Sequence, residues 1–190
     1  MSVDIGVIES FFSALYGDAV DERANLVLWS SRNKRSQWSG SLSEAAAHSE
    51  ANAAASDLYF GVCLQDFQAA KEERVRRSGQ NSMEFARGYA ATTAVMPGVW
   101  LDLDIAGDGH EKRGLPASEA DAELILQRLP LDPTLVVATG GGYHVYWLFH
   151  EPWEIETPEE RDRAASVVRG WQALALNVAS GLGFTVDATH

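Results

Sequence analysis

The stretch Val99-Trp-Leu-Asp-Leu-Asp-Ile105 constrains the fold more than any other part of the chain. Side chains at i and i+2 of an extended strand share a face. Asp102 and Asp104 should therefore project from one side of a sheet, with Leu101, Leu103 and Ile105 forming core on the other. Two carboxylates this close repel unless a positive charge lies between them. A hard divalent cation such as Mg²⁺ or Mn²⁺, which prefers oxygen ligands, supplies that charge. The same pattern also suits an edge strand with a solvated acidic face.

A chain of 190 residues, 46% apolar, fits one domain or a domain with a subdomain. We find no signal-peptide pattern and no apolar run of membrane-spanning length, so no membrane partner is expected. The single cysteine, Cys63, excludes an internal disulfide and a zinc–cysteine cluster. It sits in the apolar run Tyr59–Leu64 and reads as a core thiol, consistent with a reducing, cytoplasmic setting. The net charge of −12 argues against a protein that coats nucleic acid, although local basic clusters can still line a groove. Arg32, Lys34 and Arg35 form one cluster; Lys71, Arg74, Arg76 and Arg77 a second; Lys112 and Arg113 a third. Each also suits a plain solvated face.

Taken in order, residues 4–16 carry a helical apolar period ended by Gly17. Asn25–Trp29 reads as a buried strand. The polar, basic loop Ser30–Trp38, with an aromatic at each end, suits either contact with a nucleic-acid strand or a surface hairpin. A capping box at Ser41–Glu44 starts an alanine-rich helix. Asp57–Gln65 reads as one apolar strand with a bulge or a close backbone approach at Gly61, and residues 66–82 as a helix followed by loop. Met96-Pro-Gly98 reads as a turn into the Asp102–Asp104 strand. The glycine-rich stretch 106–114 holds Asp108, His110 and Glu111 at no standard metal-site spacing.

A capped helix follows Ser118, with Ala122, Ile125, Leu126 and Leu129 on one face, stopped at Leu129-Pro130. Strands Leu135–Thr139 and Tyr143–Phe149 flank three glycines, a hairpin pattern. On the second strand His144, Tyr146 and Leu148 share a face. A second capping box, Thr157–Glu160, opens a helix with the stripe Ala164, Val167, Val168, Trp171, Leu174, Ala175 and Val178. Phe184–His190 reads as the start of one more strand.

The triple glycine Gly140-Gly141-Gly142 lets backbone N–H groups approach an anion such as a triphosphate, and His144 follows it. A permissive turn beside a satisfied histidine fits the same residues. Asp187, between Val186 and Ala188, can complete a three-carboxylate metal site or serve as a turn or cap residue.

In their order, Leu101-Asp-Leu-Asp104, Gly142-Tyr-His144 and Val186-Asp187 resemble the three motifs of the archaeo-eukaryotic primase superfamily, in its bacterial, phage and plasmid primase-polymerase branch. Leu58–Val62 and Tyr146–Trp153 add to the resemblance, which covers residues 55–190 well and the N-terminal part more loosely.

The resemblance implies an α/β (α+β) fold: a core like the RNA-recognition motif with a mixed sheet at about 96–190, and a smaller N-terminal α/β module at about 1–95. It implies template-directed nucleotidyl transfer, as DNA polymerase or primase, with Mg²⁺ or Mn²⁺ in a two-metal site. Asp102, Asp104 and Asp187 would then hold metal. His144 would contact the incoming NTP or dNTP, with Thr139, Gly140, Gly141, Gly142 and Arg87 around the nucleotide. Arg32, Lys34 and Arg35 are candidates for contact with a single-stranded DNA template and primer. Related chains usually continue beyond the third motif, often into a helicase, so this one is expected to be the front part of a longer replication protein.

Three alternatives compete. A replication-initiator endonuclease needs a histidine pair around one hydrophobic residue, which His144-Val-Tyr lacks. A cyclase-like palm has no use for the glycine–histidine hairpin. A non-catalytic binding module of the RNA-recognition type has no use for Asp102 beside Asp104.

Overall fold

The computed structural model describes residues 4–107 and 114–186. Among the described residues the fold is α+β, with a seven-stranded antiparallel sheet and five α-helices. The chain divides into two compact units. Unit 1 comprises residues 1–97 and 152–161, and unit 2 comprises residues 98–151 and 162–190.

Unit 1 begins with helix α1 (Ile5–Tyr16), capped by Asp4 and ended at Gly17, whose φ of 53° suits glycine. Strand β1 (Ala24–Ser30) is the centre of this unit's sheet, buried along almost its whole length. It pairs with β2 (Ser36–Ser39) on one side, and with β3 (Leu58–Phe60) and β4 (Leu64–Asp66) on the other. Helix α2 (Leu42–Ala53) starts at Ser41, whose hydroxyl accepts from the Glu44 amide, as its capping box implies. Helix α3 (Phe67–Ser78) is capped by Asp66 and closed by Gly79 in the left-handed region.

The expected single strand at 57–65 is divided. Gly61 follows the last residue of β3, its amide still donating to the Val27 carbonyl of β1 and its carbonyl accepting from the Tyr16 hydroxyl at 2.7 Å. The loop expected at 30–38 is shorter than read: Ser36–Ser39 is strand β2, with Trp38 opposite Val27. The Trp38 indole N–H donates to the Met83 and Ala86 carbonyls, which docks the segment after α3. In the second basic cluster, Arg76 and Arg77 both bind Glu73, Arg74 is buried and donates to Gln80, and Arg77 lies over the Tyr89 ring.

Strand β5 (Thr93–Asp104) is longer than expected. Met96-Pro97-Gly98 lies within it instead of forming a turn. Pro97 lies past the last residue paired with β4, Val95 opposite Leu64, so its missing N–H costs no bond in that ladder.

In unit 2, β5 pairs with β7 (Gly142–Glu154), and β7 pairs with β6 (Leu135–Ala138). A Cβ on Gly98 would lie 2.2 Å from the Trp147 carbonyl oxygen, so only glycine permits this approach of the two backbones. Strand β7 runs five residues past the expected end at Phe149, through Pro152 to Glu154.

Helix α4 (Glu119–Arg128) is capped by Ser118 and buries Ala122 and Ile125. Helix α5 (Pro158–Gly181) starts from a reciprocal capping box, with the Glu160 amide on the Thr157 hydroxyl and the Glu160 carboxylate on the Thr157 amide. Its stripe packs through Val168, Trp171, Leu174, Ala175 and Val178, whereas Val167 is exposed. The core gathers these with Val99, Leu101, Leu103, Val145 and Trp147. Trp147 meets Trp171 edge-on at 4.7 Å, and its N–H donates to the Leu131 carbonyl. Residues 184–186 form no strand, but Val186 is buried in this core and the Thr185 amide donates to the Gly114 carbonyl.

The backbone contact at Gly98 generates a stability prediction. Gly98→Ala should destabilise the chain by about 1–3 kcal/mol through forced strand separation. Gly107→Ala, where a Cβ meets nothing within 4 Å, should stay within about 0.5 kcal/mol of wild type. Urea unfolding midpoints of the two variants measure the difference.

Candidate active site

The site is built on the paired strands β5 and β7 of unit 2. Along β5, Leu101 and Leu103 are buried while Trp100, Asp102 and Asp104 are partly exposed, the alternation of a half-buried strand. Both carboxylates therefore lie on the face opposite the hydrophobic core. Along β7, Val145 and Trp147 enter that core, with Tyr143 and Phe149 packed against it. His144 and Tyr146 take the other face, the one that carries the two aspartates.

Register fixes which groups meet. Gly98 abuts Leu148, and Gly142 abuts Leu103 and Asp104, in one continuous antiparallel alignment. That alignment sets Asp102 across from His144 and Asp104 across from Gly142. Directly opposed side chains on one face lie close enough to interact. The His144 Nε2 is accordingly 3.6 Å from Asp102 Oδ1, with both side chains partly open to solvent.

The glycine hairpin lies at the Asp104 end. Its turn is closed by the Thr139 amide on the Gly142 carbonyl at 2.9 Å, and the Ile105 amide donates to the Gly141 carbonyl at 2.8 Å. Thr139 is thus a turn residue, one position beyond the end of β6. Gly140 has a φ of 86° and open space where a side chain would stand. Gly142 is required for a different reason. A Cβ there would lie 2.2 Å from the Leu103 carbonyl oxygen, so the position is filled by the backbone of β5.

Tyr146 was readable as a neighbour of His144 by alternation, but nothing in the sequence marks it as part of the site. It is 3% exposed. Burial, and after it the negative charge of Asp102, push its hydroxyl above the usual tyrosine range. The phenol is therefore a neutral, proton-bearing group beside the carboxylate.

Asp187 lies outside the described residues, as do Asp108, His110, Glu111, Lys112 and Arg113. Among the described residues, no three Asp, Glu, His or Cys side chains are grouped as a metal site. The donor set on β5 nevertheless fits Mg²⁺ or Mn²⁺. Such ions keep several waters and are commonly held by one or two carboxylates with substrate phosphates completing the shell. Asp102 and Asp104 provide two hard oxygen donors on one partly open face.

The remaining candidates belong to unit 1. Arg87 lies 4.6 Å over the Trp29 ring, Lys34 lies 5.0 Å over the same ring, and Arg35 pairs with Glu84 at 2.7 Å. Arg32 is exposed and donates to the Ala55 carbonyl. Cys63 is no candidate nucleophile, because burial pushes its thiol up to about 12.

The environment of Tyr146 generates an alkaline prediction. Its folded-state value lies above the unfolded value of about 10. The stability it contributes is therefore complete below that pH and lost as pH rises through the folded value. Tyr146→Phe should remove that component from the decline in stability between about pH 9 and 12. Asp102→Asn should shift the component to lower pH by removing the neighbouring charge. Urea midpoints against pH, compared among wild type and the two variants, test both.

Compared with known proteins, the chain matches no family, no curated protein and no solved structure.

Proposed function

We propose that this chain catalyses metal-dependent, template-directed nucleotidyl transfer, as a DNA polymerase or primase. The observation that carries the reading is the register of β5 on β7. It sets Asp102 across from His144 and Asp104 across from the glycine hairpin, so two acids, an imidazole and a side-chain-free turn share one end of a strand pair. A solvated acidic strand would need neither the histidine nor the hairpin opposite it.

In this reading the primer 3′-hydroxyl gives up its proton to water as its oxygen bonds to the α-phosphorus of an NTP or dNTP. The bond from that phosphorus to its bridging oxygen breaks, and pyrophosphate leaves. Asp102 and Asp104 would hold Mg²⁺ or Mn²⁺, with Asp187 as the third acid that the resemblance implies. When bound, the ions lower the pKa of the attacking hydroxyl and neutralise charge on the phosphates. His144 donates a hydrogen bond to the triphosphate, and Gly140 and Gly141 leave backbone near the phosphates without side chains in the way. The Asp102 carboxylate at 3.6 Å orients the imidazole. Tyr146, buried on the same face and kept protonated, fixes the wall behind the pair. The protein's work is positioning and charge compensation, which suffices for phosphoryl chemistry.

Single-stranded DNA template and primer are the proposed macromolecular partners, and a helicase in the same parent chain is a proposed companion. Among the described residues no helix is long and apolar enough to cross a membrane.

Primer extension tests the reading. With a labelled primer on a DNA template and Mg²⁺ or Mn²⁺, wild type should add nucleotides. Chelation by EDTA should stop extension, and restored metal should recover it. Asp102→Asn and Asp104→Asn should each lower the rate by about 100-fold or more, and His144→Ala by about 10²–10³-fold, the usual range for removing one group that stabilises charge. Extension that persists when Asp102 and Asp104 are both alanine would overturn the assignment.

A further inference from the structure

Unit 1 carries a second collection of groups that its core does not explain. Trp29 on β1 and Tyr59 on β3 are direct cross-strand partners, and their rings lie 5.5 Å apart. Tyr59 is 55% exposed, unusual for a large aromatic ring on a paired strand. Two cations converge on the Trp29 indole, Lys34 at 5.0 Å and Arg87 at 4.6 Å. Among the described residues, neither cation has a carboxylate within ion-pair distance.

Lys34 occupies this place at a conformational cost. Its φ of 59° makes it the one non-glycine residue in the left-handed region among the described residues. Glycine or asparagine would relieve strain there, but neither carries an amine to the indole. The acids nearby are partly engaged. Glu84 binds Arg35 at 2.7 Å, and Asp57 lies 3.4 Å from the Ser31 hydroxyl. In a chain of net charge −12, the exposed pair Lys34 and Arg87 over one indole is an exception to the overall field.

An exposed aromatic ring beside an indole that carries two cations suits one ligand chemistry above others. An unpaired base stacks on a ring, and the flanking phosphates meet the cations. We propose that Tyr59 and Trp29, with Lys34 and Arg87, form a stacking platform on unit 1 for one strand of DNA. Tyr59 offers the open ring face. Lys34 and Arg87 hold the neighbouring phosphates and keep the Trp29 indole in place from their positions over it. The platform rests on these rings and cations alone, whereas the choice of DNA as the strand rests on the nucleotidyl-transfer reading.

Fluorescence polarisation of a labelled dT 15-mer, with the full chain in EDTA and without nucleotide, tests the platform apart from catalysis. Wild type should bind the oligomer, more weakly as salt rises. Tyr59→Ala should weaken binding by about 10-fold, the scale of one lost base stack, and Tyr59→Phe should restore most of it. Lys34→Gln and Arg87→Gln should each weaken binding and flatten the salt dependence by about 0.7 in log–log slope, one phosphate contact on a single strand. Arg76→Gln makes the same charge change on α3, where Arg76 is held by Glu73, and should bind as wild type.

Four results would overturn the platform: no binding of dT by wild type, Tyr59→Ala within twofold of wild type, equal losses in Arg76→Gln and Arg87→Gln, or a blunt duplex competing as well as dT. Binding of an rU 15-mer in preference to dT would overturn the choice of DNA. A chain that binds dT through Tyr59 yet extends no primer keeps the platform and removes the polymerase reading. A chain that extends primers while Tyr59→Ala binds normally does the reverse.

Discussion

The close approach of two strand backbones governs the unit that carries the candidate site. Strands β5 and β7 meet at Gly98 and again at Gly142, and at both points a Cβ would fall 2.2 Å from a carbonyl oxygen of the other strand. Glycine at these two positions keeps the strands in one continuous register. Everything at the candidate site follows from that alignment. Sliding one strand by a single residue would send His144 to the core side and Val145 to the acidic side. The hydrophobic alternation of Leu101 and Leu103 against Val145 and Trp147 penalises such a slip, so core packing and site geometry enforce the same answer.

The two faces of this strand pair divide the labour. One face is sealed by α4 and α5 through Ile125, Ala175 and Trp171, and it supplies the burial that holds the strands. The other keeps two carboxylates and an imidazole partly open to solvent. Tyr146 is the exception on that open face. Its burial gives the site a rigid, uncharged wall next to Asp102. In this respect the site resembles other arrangements in which groups of mismatched environment are set side by side on regular structure.

Much of this was readable before any coordinates. Helix starts at Ser41, Ser118 and Thr157 were marked by side chains that can accept from a free amide, and each cap is present. The face shared by Asp102 and Asp104 followed from strand alternation alone. The misreadings have a common cause. Proline and glycine at 96–98 read locally as punctuation, but there they allow a strand to continue beside a neighbour that comes unusually near. At Gly61 one apolar run divides into two strands, and there the carbonyl accepts from the distant Tyr16 hydroxyl. Long-range partners of this kind leave no trace in a local window. The pairing of Trp29 with Tyr59 was hidden for the same reason, since thirty positions separate them in the chain.

The lone sulfhydryl has a practical consequence. Cys63 is the single cysteine, and burial pushes its thiol up to about 12, which disfavours the reactive thiolate at neutral pH. Maleimide and disulfide reagents therefore meet an almost silent background. A reporter cysteine placed on any exposed strand or helix would carry its dye or spin label without prior removal of the native one.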